Sequence, residues 1–328
     1  MASGAAADPV TKGSSGRFAW RVAGAAVAVL LLATVLKVAG PSVVWRLLRS
    51  TDGPLLAAAV VASAAFLTLR GLRLRLLLEG GSLGWLTAIE VAAAAQAAAL
   101  FAPARTGELA LPWLLTRATG RAFSSNVGTL LAARVLDLAT LGLWCGAAIL
   151  VIRGFGEPAA LILALLLVAP TLLLPTAMRT ADRLAVRWMA PRGMVGRRWA
   201  RRLRRVRREI DTLRARPARL WGAIVTSFLM WGLQWSVAWI LLVAMGYRWP
   251  FVTVTAGASA AAVANLLPFN LVGNLGTLEA GWTAAFAALG VPVQVAAASG
   301  LAAHLWGLIF AAFFGIVGWA ALSIKGGR

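Results

Sequence analysis

The chain has 328 residues, is 60% hydrophobic with a mean hydropathy of +0.81, and carries 32 Lys+Arg against 11 Asp+Glu, a net charge of +21. Ordinary soluble domains are about 45–50% apolar, so this balance excludes a soluble enzyme domain, a disordered tail and a disulfide scaffold, and describes a polytopic membrane protein with basic loops. One cysteine (Cys145) and one histidine (His304) exclude a Cys/His metal cage, which needs three or four protein ligands, and no cofactor is expected.

Residues 1–16 are small and polar and are expected to be disordered. This long polar lead-in favours a spanning helix over 18–39 rather than a signal peptide, since about 20 residues cross the hydrocarbon core. Further apolar stretches cover 54–69, 83–101, 127–152, 159–177, 220–245, 252–267 and 293–322. Two more, 109–118 and 278–289, are too short to cross at about 1.5 Å per residue. All are helical in period and rich in Ala or Leu, without the alternating strands of a β-barrel.

Each short stretch follows a longer one interrupted by proline and glycine. The first break reads Ala102-Pro103-Ala104-Arg105-Thr106-Gly107-Glu108. The second runs Pro268-Phe269-Asn270-Leu271-Val272-Gly273-Asn274-Leu275-Gly276-Thr277-Leu278-Glu279. Proline removes an amide donor and glycine loosens the helix, so both helices should break there. Irregular backbone at membrane depth survives only where protein or a water-filled cavity covers it. These stretches therefore predict two re-entrant helical hairpins, near 84–119 and 250–289. Spacing points to a repeat. Glu108 to Gly120 is 12 residues and Glu279 to Gly290 is 11, while Gly120 to Arg134 and Gly290 to His304 are both 14.

The expected fold class is all-α: a polytopic helical membrane protein of about six full spans plus two re-entrant hairpins in an inverted repeat, as in secondary transporters with broken helices. Residues 17–178 form the first membrane repeat and 220–328 the second. Between them, 179–219 hold fifteen arginines and three acids (Asp182, Glu209, Asp211), supplying +12 of the net charge. A basic segment between apolar spans reads as a cytoplasmic loop on the anionic inner leaflet, in preference to a nucleic-acid site. Within it, Trp199, Leu203, Val206 and Ile210 recur at helical spacing, as in an amphipathic helix lying on that surface. With both termini cytoplasmic in the cell membrane, Lys12, Arg17, Arg21, Arg70, Arg73, Arg75, Arg117, Arg121, Lys325 and Arg328 fall on the inner side. Arg46, Arg49, Arg153 and Arg248 are the exceptions.

Several motifs resemble the transmembrane, flippase-like region of the lysylphosphatidylglycerol synthase family: Pro103-x-Arg105-x-Gly107-Glu108, Arg134-x-x-Asp137, Leu267-Pro268 through Gly273, Gly276 and Glu279, and Leu289-Gly290-Val291. The resemblance covers about 18–322 and implies an integral membrane protein that moves or handles lipids, with aminoacylated phospholipids among the candidate cargoes. The chain departs from the family in having Leu111 and His304 where arginine is usual. No acyltransferase domain follows residue 322, so aminoacyl-lipid synthesis is not expected.

The candidate headgroup cleft comprises Arg105, Gly107, Glu108, Arg134, Asp137, Asn270, Gly276, Glu279 and His304. Intramembrane ionisable residues are costly, so Glu108 and Glu279 read either as functional groups or as caps of the short helices that follow them. Arg134 either pairs locally with Asp137 or reaches Glu108 and a lipid phosphate, for which a forked guanidinium is suited. His304 is either a packed, hydrogen-bonded residue or a proton-coupling group. Arg105 either contacts the headgroup or snorkels. Gly107 and Gly276 are expected at helix starts, pointing free amides toward an anionic headgroup. Glu90 and Gln96 are weaker cavity-lining candidates, Trp231, Trp235 and Trp239 read as a packing stripe, and Gly142-x-x-x-Gly146 as a close-packing motif within the chain or between protomers of a homo-oligomer. No nucleotide-binding G-x-x-x-x-G-K-[ST] motif occurs, so movement of a lipid is expected to be facilitative or ion-coupled. A membrane enzyme on a lipid-linked substrate and a non-transporting scaffold are the alternatives. Replacing several of the arginines between 197 and 208 with Gln is expected to weaken the binding of a 179–219 peptide to anionic liposomes, by about fivefold per arginine, in a vesicle-sedimentation assay.

Overall fold

The computed structural model describes residues 29–78, 83–153, 215–265 and 274–326, with isolated positions elsewhere; the side chains of residues 103–105 are not included. All secondary structure among the described residues is helical. Helix α1 (Val29–Ala39) is followed by α2 (Pro41–Arg49), α3 (Gly53–Leu77) and α4 (Trp85–Phe101), then a 3-10 segment (Pro103–Leu109), α5 (Ala110–Thr119) and α6 (Phe123–Arg153). The second half holds α7 (Pro217–Ala244), α8 (Phe251–Ala264), α9 (Thr277–Ala288) and α10 (Val293–Gly326). The expected N-terminal disorder, the span over 159–177, most of the arginine loop and the Pro268–Gly273 part of the second break lie outside the described residues.

Among the described residues, four helices are long and apolar enough to cross a membrane, α3, α6, α7 and α10, and a fifth crossing is added if α1 and α2, which meet at 73°, count as one broken span. The sequence suggested a span over 18–39. The bend follows from Gly40, held at φ 74, and Pro41, which opens α2 at a position where its missing N–H costs nothing. On α2, Val44 is buried, Trp45 is exposed and the Arg49 guanidinium lies 4.6 Å from the Trp45 ring centroid, as in a helix with one face against protein and the other outward.

The remaining helices are short. At about 1.5 Å per residue, α4, α5, α8 and α9 reach about 26, 15, 21 and 18 Å, less than the ~30 Å hydrocarbon core. Each pair packs as a hairpin, α4 on α5 and α8 on α9. In both hairpins a glycine allows close approach of the two arms. A Cβ built on Gly107 would stand 1.8 Å from the Ala98 carbonyl oxygen, and one on Gly281 would stand 2.5 Å from the Ala264 Cβ. Gly120 (φ 70) and Gly290 (φ 88) then end the short arms in the left-handed conformation that glycine favours.

The two halves share one contact pattern. The long helices α3 and α7 lie against each other. The first arm of each hairpin packs on the long helix of the other half, α4 on α10 and α8 on α6, while the second arms stay with their own, α5 on α6 and α9 on α10. Gly142 and Gly146 on α6 are both buried inside the single chain.

Side-chain contacts fix which ends lie together. Arg219, at the start of α7, donates to the Leu78 carbonyl at 3.2 Å, and Arg75, near the end of α3, lies 5.5 Å from the Trp85 ring at the start of α4. At this same end, the Trp113 ring on α5 lies 6.0 Å from that of Trp319, tilted by 35°, and Lys325 pairs with Glu90 at 2.7 Å. So the first hairpin opens at the α3 C-terminal end. The second opens at the other: the Asp52 amide donates to Ala244 at 2.9 Å, Trp239 donates to the Trp249 carbonyl at 3.0 Å, and Trp249 lies 5.1 Å from Phe286 at the end of α9. Gly107→Ala is expected to destabilise by about 1–3 kcal/mol through overpacking, whereas Gly120→Ala, with open space around it, should cost about 1 kcal/mol from its backbone angle. Thermal unfolding in detergent, followed by tryptophan fluorescence, checks the order.

Candidate functional site

An arginine in an apolar helix must find counter-charge, because an unpaired buried ion is strongly unfavourable. Arg73 of α3 is among the largest fully buried side chains, at 1% exposure. Its Nη1 bonds Asp137 Oδ1 of α6 and donates to Ser227 Oγ of α7 at 3.3 Å. Trp231 of α7 donates from Nε1 to the same Asp137 oxygen at 3.2 Å. The other oxygen, Oδ2, lies 3.5 Å from Arg134 Nη1, one turn earlier on α6. Arg134 Nε in turn stands 3.3 Å from Glu108 Oε2 at the break of the first hairpin. Arg70, one turn before Arg73, feels the charges of Arg73, Arg134, Asp137 and Glu108. The group is therefore three cations around two carboxylates. Arg73 and Asp137 are sealed, but the side chains of Arg134 and Glu108 are 38% and 27% exposed.

The second group is built at the other break. Glu279, 1% exposed, sits in the first turn of α9, where a carboxylate favours the helix dipole. Its Oε2 accepts the Gly276 amide at 2.7 Å. Its Oε1 bonds His304 Nδ1 on α10.

Arg134 takes both proposed partners, Asp137 and Glu108. Glu279 caps α9 and also bonds His304, which is nearly buried. Other expectations need correction. Gly107 lies inside the 3-10 segment, three residues before α5, where it allows close approach to Ala98. It does not sit at a helix start. The Gly276 amide is not free, since the Glu279 carboxylate occupies it. Glu90 clasps Lys325, with both oxygens 2.7 Å from Nζ. Arg73 is no inner-end surface charge, and Trp231 is more than packing. The side chain of Arg105 and all of Asn270 lie outside the described residues.

Arg70, Arg73, Ser227 and Trp231 are members that the sequence did not mark. Arg70 and Arg73 are three residues apart and so share a helix face, the one local signal available. Their partners lie 64 and 154 residues away along the chain for Arg73, beyond any spacing rule.

The family model described as Lysylphosphatidylglycerol synthase TM region matches residues 21–315. No curated protein and no solved structure matches the chain.

Asp137→Asn should destabilise the protein by about 3–5 kcal/mol, because it leaves the buried Arg73 charge without a counter-charge; Arg73→Met should cost less, because Asp137 keeps Arg134 and Trp231. The double variant Arg73→Met with Asp137→Leu should recover part of that loss. Arg134→Gln, at a part-exposed position, should cost less than either single change. Unfolding midpoints in one detergent give the ranking.

Proposed function

The chain belongs to the lysylphosphatidylglycerol synthase TM-region family, a membrane family connected with lipids, and we propose that it moves a phospholipid or other lipid-linked anionic headgroup across the bilayer, flippase-like. One observation carries this reading: a net-positive charge group in the bundle with Arg134 part-exposed beside Glu108. A guanidinium offers forked donors to a phosphate. Arg73 and Trp231 hold Asp137 in place, so that Arg134 is oriented from behind while its outer side receives the headgroup. Acyl chains remain in lipid throughout.

In this reading the two hairpins are re-entrant and dip from opposite faces. Their short arms and their openings at opposite ends of α3 and α7 support it. The end with Arg75, Arg117, Arg219 and Lys325 is then cytoplasmic, following the bias of basic residues toward that side. Glu108 and Glu279 stand at the two hairpin breaks. A headgroup passing between the leaflets meets them in turn, as at the broken-helix sites of secondary transporters.

Purified protein in liposomes carrying fluorescent phospholipids of different headgroup tests the reading. Exchange between leaflets should exceed that of empty liposomes and favour anionic over zwitterionic lipid. Arg134→Gln should lower the rate at least about tenfold, the loss of roughly one charge-assisted contact, with Arg134→Lys between the two. No exchange above empty liposomes with any headgroup would overturn the proposal.

A further inference from the structure

We propose that the Glu279–His304 pair is an occluded proton site that couples headgroup movement to a proton; the proposal rests on the transport reading above. The pair is the counterpart of Glu108–Arg134. In each half a glutamate from the hairpin break meets a basic residue 11 positions into the following long helix, Arg134 counted from Phe123 and His304 from Val293. Both basic residues thus stand about 17 Å along their helices. They differ in kind. A guanidinium is a permanent cation, whereas imidazole changes charge between about pH 5 and 8.

The bonds identify the atom that takes the proton. An ionised carboxylate only accepts, so with Glu279 Oε2 on the Gly276 amide and Oε1 on His304, the imidazole carries its hydrogen on Nδ1. Nε2 is then a bare lone pair. It is buried and has no hydrogen-bond partner among the described residues. Without a proton there, the pair has charge −1; with one, its charge is 0, the same as Glu108–Arg134. The side chains of Glu279 and His304 are 1% and 9% exposed, so the site is closed in this conformation and must load and release its proton in others.

Charged and titratable groups on the elements packed around α10 are Glu279 on α9, Glu90 on α4, Arg46 and Arg49 on α2, Asp52, Arg70, Arg73 and Arg75 at or on α3, and Arg219 on α7. Glu90 is neutralised by Lys325, some twenty residues further along α10. Of this set, Glu279 is the group joined directly to His304. The charge of the second half-site is therefore governed by the one proton. At −1 it repels an anionic headgroup arriving from Arg134. A proton from water on Nε2 removes that repulsion, and its return to water after the headgroup leaves resets the pair.

Two measurements test this on the intact protein. The first is the pH profile of leaflet exchange of fluorescent phosphatidylglycerol in proteoliposomes. The wild type should lose about tenfold in rate from about pH 5.5 to about pH 8. His304→Arg should be fast and flat with pH, and His304→Gln slow and flat. A wild-type profile retained in His304→Gln overturns the proton site while leaving transport standing. The second uses the fact that His304 is the only histidine. NMR of isotope-labelled imidazole in nanodiscs should show one titrating signal that responds to Glu279→Gln. A signal that does not titrate, or is indifferent to Glu279→Gln, also overturns the proposal. If the signal titrates as expected but no variant and no wild type exchanges lipid, the transport reading fails and the proton site survives it.

Discussion

One carboxylate, Asp137, organises the first half of the bundle. Its two oxygens take bonds from Arg73 on α3, Trp231 on α7 and Arg134 on α6, and Arg134 extends the chain to Glu108 in the hairpin break. A lone aspartate or arginine at this depth would be expensive to bury, and the attraction between them offsets that cost only when the geometry satisfies every donor and acceptor. The acceptor side is filled, with three donors on the two oxygens of Asp137, while Arg73 Nε is buried without a hydrogen-bond partner among the described residues. Four elements that meet nowhere along the chain are tied to one point, and the relative height of α3, α6 and α7 is fixed by it. Apolar packing alone would tolerate a slide of one helix along another; an ion pair does not.

Much of the remaining helix contact is close packing, which in lipid must come from van der Waals contact because apolar helix faces gain little by leaving one apolar medium for another. The chain accordingly uses small residues where helices touch. A Cβ on Gly315 would stand 2.2 Å from the Ala97 side chain, and one on Gly257 would fall 2.4 Å from the Phe286 ring. These contacts join α10 to α4 and α8 to α9. The first arm of each hairpin is thus gripped by small-residue packing against the opposite half or its own second arm. The polar groups at the breaks are gripped by bonds to the long helix of the same half.

How far the sequence could be read follows from the range of the interactions. Helix positions depend on local apolar runs, and stretches such as 220–245 and 293–322 return as Pro217–Ala244 and Val293–Gly326. Breaks depend on local proline and glycine, and the 3-10 segment opens at Pro103. The spacing shared by Glu108–Gly120–Arg134 and Glu279–Gly290–His304 brought both glutamates to the fore, and in each half the structure joins the glutamate to the basic residue. Arg73 escaped notice because it sits four residues from the end of α3, among Arg70 and Arg75, in a row that reads as surface charge at a membrane boundary. Only its distant partners reveal that it points inward. Trp231 escaped for the same reason, since an i, i+4 stripe of indoles carries no sign of a carboxylate 94 residues earlier. The bend at Gly40 was local and legible in principle: glycine followed by proline, just after an apolar run that was long enough to hide it.

The two halves solve the exposed ends of their broken helices differently, and this explains why their polar pairs are not interchangeable. In the second half the carboxylate of Glu279 divides its oxygens between the Gly276 amide and His304, so backbone satisfaction and the side-chain pair share one group. Any loss of the His304 bond leaves Glu279 still anchored by the amide and by the positive end of α9. In the first half, Gly107 is occupied with close approach to Ala98, and Glu108 faces Arg134. Arg134 has a second anchor in Asp137, so it keeps its position if the Glu108 contact opens. The second half therefore anchors its acid at two points, and the first half anchors its base at two points. Two pairs with opposite anchors are what a ligand needs if it is to displace one contact at a time without unmaking the fold that presents them.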